Sequence, residues 1–190
     1  LVRAALYDGA PFGERQAAHR ALAAGLPSNA VGERAWHLAA AADTADEHVA
    51  ELLEQTAQGC LQRDAGPTAA RALQRAAELS PEPADAARRL AMAARASWGA
   101  GNAGAAQRLL TDAERLVGEE PVVRLSSGLR GILEFSHGVV DRAHHYLIGD
   151  LAVVDGGRAA AELGARCPRD FLFLQLILNH RFLLLLIEVI

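Results

Sequence analysis

The chain has 190 residues, 51% apolar and only 5% aromatic, with a formal net charge of −4; it can fill a core, so disorder is excluded. Abundant alanine with few aromatics predicts an all-α fold whose helices pack closely through small side chains. All 19 basic residues are arginine, which removes a P-loop lysine, a Schiff-base lysine and a lysine general base, and the acidic balance predicts no direct nucleic-acid contact by this segment.

The opening Leu1-Val2-Arg3-Ala4 carries neither an initiator methionine nor a signal-peptide pattern, so the chain reads as an excerpt of a longer one. Asp8-Gly9-Ala10-Pro11 is a turn signal. The next helix, Glu14 to Leu26, sets Ala17, Ala18, Ala21, Leu22 and Leu26 on one stripe. A second helix, about Val31 to Ala42, carries Trp36, His37 and Leu38. Thr44 with Glu47 predicts a capping box for a third, which reaches about Arg63 with Val49, Leu52, Leu53, Thr56, Cys60 and Leu61 inward. Cys60 and Cys167 show no C-x-x-C spacing and read as buried thiols of a reducing cytosol.

From Gly66 to Val154 a two-helix pattern returns every 37 residues. Ala69, Ala106 and Ala143 keep this step, as do Leu73, Leu110 and Leu147, and Leu79, Leu116 and Val153. Met92 maps onto Leu129, Trp98 onto Phe135, and Gly101 onto Gly138. The step lies near the roughly 34 residues of tetratricopeptide repeats and below the roughly 40–47 of HEAT and armadillo repeats. It predicts antiparallel helix pairs stacked as a tetratricopeptide-like right-handed superhelix. Pro67 opens one helix and Pro83 follows the Ser80-Pro81-Glu82 break; Asn102 caps the helix Ala103 to Val117, and Pro121 starts another running to about His137. The expected division is 1–63, 64–155 and an atypical tail, 156–190. Within that tail, 15 of the 20 residues from Phe171 to Ile190 are apolar, long enough for a membrane span, but Asn179-His180-Arg181 interrupts it and His180 stands where the step asks for alanine. Three readings stay open: a buried terminal helix, a truncated reading-frame end, and a membrane anchor.

Motifs that carry chemistry fare poorly. Gly99, Gly101 and Gly104 spell G-x-G-x-x-G, with Glu119 and Glu120 downstream, but a dinucleotide fingerprint follows a strand, whereas Ala87 to Trp98 reads as helix; the glycines belong to a turn between repeat helices. His144 and His145 diverge by about 100° on a helix, no H-E-x-x-H occurs, and Glu33 with His37 do not make a zinc site. No G-x-S-x-G elbow is present. The expectation is therefore a non-enzymatic chain with no cofactor or metal of its own. Trp36, His37, Trp98 and Phe135 are core packers on one reading and, on the other, the candidate partner-contacting residues of a concave repeat surface that receives a protein or small-molecule effector.

Leu1-Val2-Arg3-Ala4-Ala5-Leu6-Tyr7, then Arg15, His19-Arg20 and Leu22-Ala23, then Arg34-Ala35-Trp36-His37-Leu38-Ala39-Ala40 resemble the LuxR-type large ATP-binding transcriptional regulators of actinobacteria, in the stretch where the nucleotidase module leads into tetratricopeptide-like repeats. Ala70 to Pro81 is similar to that family's first repeat. The resemblance covers Leu1 to Leu116, loosens over Pro121 to Asp155 and ends after Gly156. It implies the cytoplasmic middle region of a regulator whose ATP-binding module and DNA-binding helix-turn-helix lie outside this chain, and it carries no ATP-contacting or DNA-contacting residue onto this sequence. The alternatives are a free-standing helical-repeat scaffold, the same scaffold held at a membrane by its tail, and an enzyme whose histidines and acids would have to converge in one pocket.

Overall fold

The structure, a computed structural model, describes residues 7, 9–126, 128–136, 138, 142–143 and 145–146. The expected apolar tail, Cys167 and the repeat positions Leu147 and Val153 lie outside the described residues. The chain divides into two compact units, Leu1–Gly118 and Glu119–Ile190, and the described residues contain helices and no strand.

In the first unit the elements are α1 (Phe12–Gly25), α2 (Val31–Ala41), α3 (Glu47–Leu61), α4 (Gly66–Leu79), α5 (Pro83–Gly99) and α6 (Ala103–Val117). Connectors of three to five residues turn the chain back at each junction, so each helix packs on its successor. Proline sits in the first turn of α4 and of α5, where its missing donor costs nothing. The Asn102 side-chain oxygen accepts from the Ala105 N–H at 3.0 Å and caps α6. The capping box expected at Thr44 is not formed. The backbone stays extended through Asp46 (φ −146°, ψ 103°), so α3 starts later and the Asp46 carboxylate accepts from the Val49 N–H at 3.2 Å instead.

The 37-residue step has a backbone counterpart. Asp64, Gly101 and Gly138 stand at that step and all adopt left-handed conformations, with φ of 57°, 79° and 78°. Their N–H groups donate to the carbonyls of Leu61, Trp98 and Phe135 at 3.0, 2.9 and 2.9 Å. The following N–H groups of Ala65 and Asn102 reach the Cys60 and Ser97 carbonyls, both at 2.9 Å. This pair of bonds is a Schellman closure, which satisfies the last carbonyls of a helix and needs one left-handed residue after it. The chain therefore leaves α3 and α5 by the same turn, and glycine is favoured at Gly101 because it meets no Cβ penalty there.

Buried positions follow the same step. Ala35, Ala72, Leu109 and Tyr146 are all buried, as are Ala69, Ala106 and Ala143, and as are Ala57, Ala94 and Gly131. Gly32, one step before Ala69, faces α3 closely, since a Cβ there would stand 3.2 Å from the Thr56 methyl. The periodicity thus extends upstream of Gly66 into α2 and α3, where Trp36 occupies the position of Leu73 and Leu110. Ala35 and Ala39 of α2, Val49, Ala50 and Leu53 of α3, and Ala76 and Leu79 of α4 form one core cluster. Each fully buried leucine contributes about 1.5–3 kcal/mol, while the alanines let the helices approach closely enough to exclude water from it.

Three expectations about inward faces are corrected. On α1, Gln16 and Ala23 are buried and Leu22 is 53% exposed, because the Gln16 amide donates to the Ala41 carbonyl at 2.9 Å and turns the alanine stripe outward. On α3, Leu61 is exposed, since it lies about 100° round the helix from Cys60. Leu116, at the step of the buried Leu79, is 45% exposed.

In the second unit, α7 (Glu119–Ser126) and α8 (Leu129–Ser136) replace the single helix expected from Pro121. Gly128, with φ of 83°, ends the first segment and supplies the carbonyl that receives the Ile132 N–H at 3.1 Å. Buried Tyr146 donates its hydroxyl hydrogen to the Glu119 carboxylate and accepts from Arg142 at 3.2 Å.

Candidate functional site

Along α3, Glu47, Glu51, Glu54, Gln55 and Gln58 recur at helical spacing and make one polar face. Across from it α5 presents Asp85, Arg88 and Arg89, and the Pro81-Glu82 turn closes one end. Together they line a groove of about 920 Å³. Arg89 lies at its floor, 1% exposed. Its guanidinium donates to Glu47 at 2.5 and 3.0 Å, to Glu54 at 2.9 Å and to the Ser80 hydroxyl at 2.5 Å. Arg88 grips both Glu54 oxygens, at 2.6 and 2.9 Å. The buried cation is thus held by two carboxylates of α3 and a hydroxyl of the turn before α5, a geometry that offsets its desolvation.

Titration behaviour follows from these contacts. The hydrogen bond from Arg89 holds the Glu47 carboxyl below the usual range, and that from Arg88 does the same for Glu54, against the opposing effect of burial. Hydrogen bonding to Glu54 raises Arg88, and bonding to Glu47 raises Arg89. The groove is lined by five carboxylates (Glu47, Glu51, Glu54, Glu82, Asp85) and two guanidiniums. Pairing consumes both arginines and leaves Glu51 and Glu82 exposed at the rim. Its surface is acidic and suits a cationic partner.

A second groove, of about 540 Å³, lies among α4, α5 and α6 and shares Pro81 with the first. Leu90, Leu109 and Leu116 form its apolar wall, and Glu78 and Asp112 its acidic rim.

A third cluster joins α1 to α2. His19 Nδ1 and His37 Nδ1 stand 2.9 Å apart, and His19 Nε2 lies 2.9 Å from the Tyr7 hydroxyl. Desolvation, and secondarily the charge of His37, lower the His19 pKa below its usual 6.5.

The residues singled out for partner contact are dispersed. Trp36 packs partly buried against the core cluster, with the Arg71 guanidinium 5.9 Å from its ring centroid. His37 is engaged with His19. Trp98 is half-buried at the end of α5, and its carbonyl accepts the Gly101 turn bond. Phe135 is 39% exposed on α8 of the other unit. None of the four lines either groove. Gly99 and Gly101 stand in open space at a helix-to-helix turn. Among the described residues no three His, Cys, Asp or Glu side chains converge as metal ligands, and no helix is long and apolar enough to cross a membrane.

No protein-family model, curated protein or solved structure matches the chain.

Sequence reasoning missed the Arg89 network. The signal was available: a polar stripe on a helix otherwise facing a core, followed 34 residues after Glu54 by two adjacent arginines. What the pattern lacked was the α3–α5 pairing that brings them together.

Proposed function

We propose that the chain is a non-catalytic, protein-interaction region built of tetratricopeptide-like helical repeats, the cytoplasmic middle of a LuxR-type large ATP-binding transcriptional regulator. The observation that carries the repeat reading is the left-handed closure returning at Asp64, Gly101 and Gly138, because a turn repeated with the packing step is what a helical-repeat array requires. The acidic groove between α3 and α5 is the surface on which a partner acts. Repeats suit such a role because neighbouring helix pairs shift as rigid units and carry a binding event to distant modules. ATP and DNA would then be bound by modules flanking this chain.

The coding sequence on either side tests the parentage. A P-loop nucleotidase before Leu1 and a helix-turn-helix after the repeats support it; neither one being there contradicts it and favours a free-standing scaffold. In the full-length regulator, Glu51→Gln with Glu82→Gln should change promoter output while ATP hydrolysis and protein level stay the same. Unchanged output would remove the acidic groove from the regulatory surface.

A further inference from the structure

The groove at Leu116 has a filled counterpart one repeat step upstream, and comparing the two shows what the open one lacks. Upstream, Leu79 is buried in a cluster with Val49 and Leu53. The Asp46 N–H donates to the Leu79 carbonyl at 2.8 Å, and Arg75 reaches across to the Ala39 carbonyl at 2.8 Å. Moving 37 residues along, Val49 becomes Ala86, Asp46 becomes Pro83 and Arg75 becomes Asp112. The first change removes two methyl groups from the contact. The second removes the N–H, since proline has none. The third removes the spanning cation and reverses its charge. Leu116 is left 45% exposed beside Leu90 and Leu109, in a space of about 540 Å³.

The rim changes sign as well. Where the filled interface carries Arg75 and Ala41, the open groove carries Asp112 and Glu78. Both acids have an arginine neighbour on their own helix, Arg115 at 2.5 Å and Arg75 at 2.6 Å, but such exposed pairs contribute little and yield readily to a better-placed cation. Past the shared Pro81 the adjoining groove continues acidic, with Glu51 and Glu82 exposed.

We propose that this groove is the seat of a basic amphipathic segment of a partner protein, which places an apolar side chain against Leu90, Leu109 and Leu116 and an arginine or lysine against Asp112 and Glu78. The guest supplies what Val49 and Arg75 supply one repeat earlier: apolar volume and a cation. The inference rests on the protein-interaction reading and names the partner chemistry for it.

The test uses the whole chain and a fluorescent peptide about two heptads long with leucine on one helical face and arginine on the other, set against the same peptide with glutamate for arginine. Fluorescence anisotropy should show binding of the arginine peptide and at least about tenfold weaker binding of the glutamate peptide. Leu116→Gln, at an exposed position, and Ala86→Val, which restores the upstream residue, should each weaken the arginine peptide by about tenfold, with unchanged helical circular dichroism for Leu116→Gln. No binding of the arginine peptide overturns the proposal. Binding that Leu116→Gln and Ala86→Val leave unchanged, but that Glu51→Gln with Glu82→Gln weakens, also overturns it, while leaving the protein-interaction reading intact.

Discussion

Arg89 is a charged side chain buried to 1% exposure, and the structure tolerates it because Glu47, Glu54 and Ser80 receive its donors. Arg89→Leu should cost about 3 kcal/mol, since Glu47 loses the guanidinium that holds it and Glu54 keeps only its bonds from Arg88; urea unfolding at neutral pH measures this. Linkage gives the pH dependence. Glu47 and Glu54 are held below their usual 4.5 by the arginines, so the native state binds fewer protons than the unfolded chain there. Their contribution is present above about pH 4.5 and is lost as pH falls through the depressed values. The unfolding midpoint should fall steeply on that side and more shallowly in Arg89→Leu. Backbone conformation gives a second residue-scale outcome. Asp64 holds a φ of 57° where Gly101 holds 79°, and left-handed backbone costs a residue with a Cβ about 1–2 kcal/mol, less for Asp. Asp64→Gly should stabilise the fold by about 0.5 kcal/mol, and Gly101→Ala should destabilise it by about 1–2 kcal/mol.

At the scale of elements, the contact of α1 with α2 includes, beside the Gln16 bond to Ala41, two histidines that share one hydrogen bond at 2.9 Å. One ring must donate and the other accept, and a protonated His19 can no longer accept. Because burial and His37 lower the His19 pKa from 6.5, the stability this contact contributes is present above about pH 6.5 and lost as pH falls through the lowered value. Hydrogen exchange of the α1 amides should accelerate below about pH 6.5, with α4 and α5 unchanged, and His37→Gln should remove that difference. The same scale shows what the sequence disclosed. Helix existence, the Asn102 cap and the turn character of Gly101 were legible, because capping residues and glycines act through their nearest neighbours. The inward faces of α1 and α8's separation from α7 were not. The rotation of α1 is set by the Gln16 bond to Ala41, twenty-five residues away, and the break by the left-handed Gly128. For the site, Trp36, His37, Trp98 and Phe135 stood out as large or titratable side chains, yet the grooves are lined by ordinary acids, arginines and leucines whose significance lies in which helices face each other.

At the scale of the molecule, a single unit of sequence accounts for much of what the described residues do. Positions at a step of 37 share burial, as Ala69, Ala106 and Ala143 do, and share a turn, as Asp64, Gly101 and Gly138 do. Around Leu53 and Leu79 the helices seal against each other. Where Val49, Asp46 and Arg75 give way to Ala86, Pro83 and Asp112, a groove opens. Departures from the repeat are therefore the informative places, and the binding chemistry proposed for this chain is located at one of them. The most direct test of the repeat itself is backbone conformation in solution by nuclear magnetic resonance. Chemical shifts and couplings should place Asp64, Gly101 and Gly138 alike at positive φ between helical segments, with the Ala65 and Asn102 amides protected from exchange. An extended backbone at any of the three, or continuous helix through them, would contradict the repeated unit.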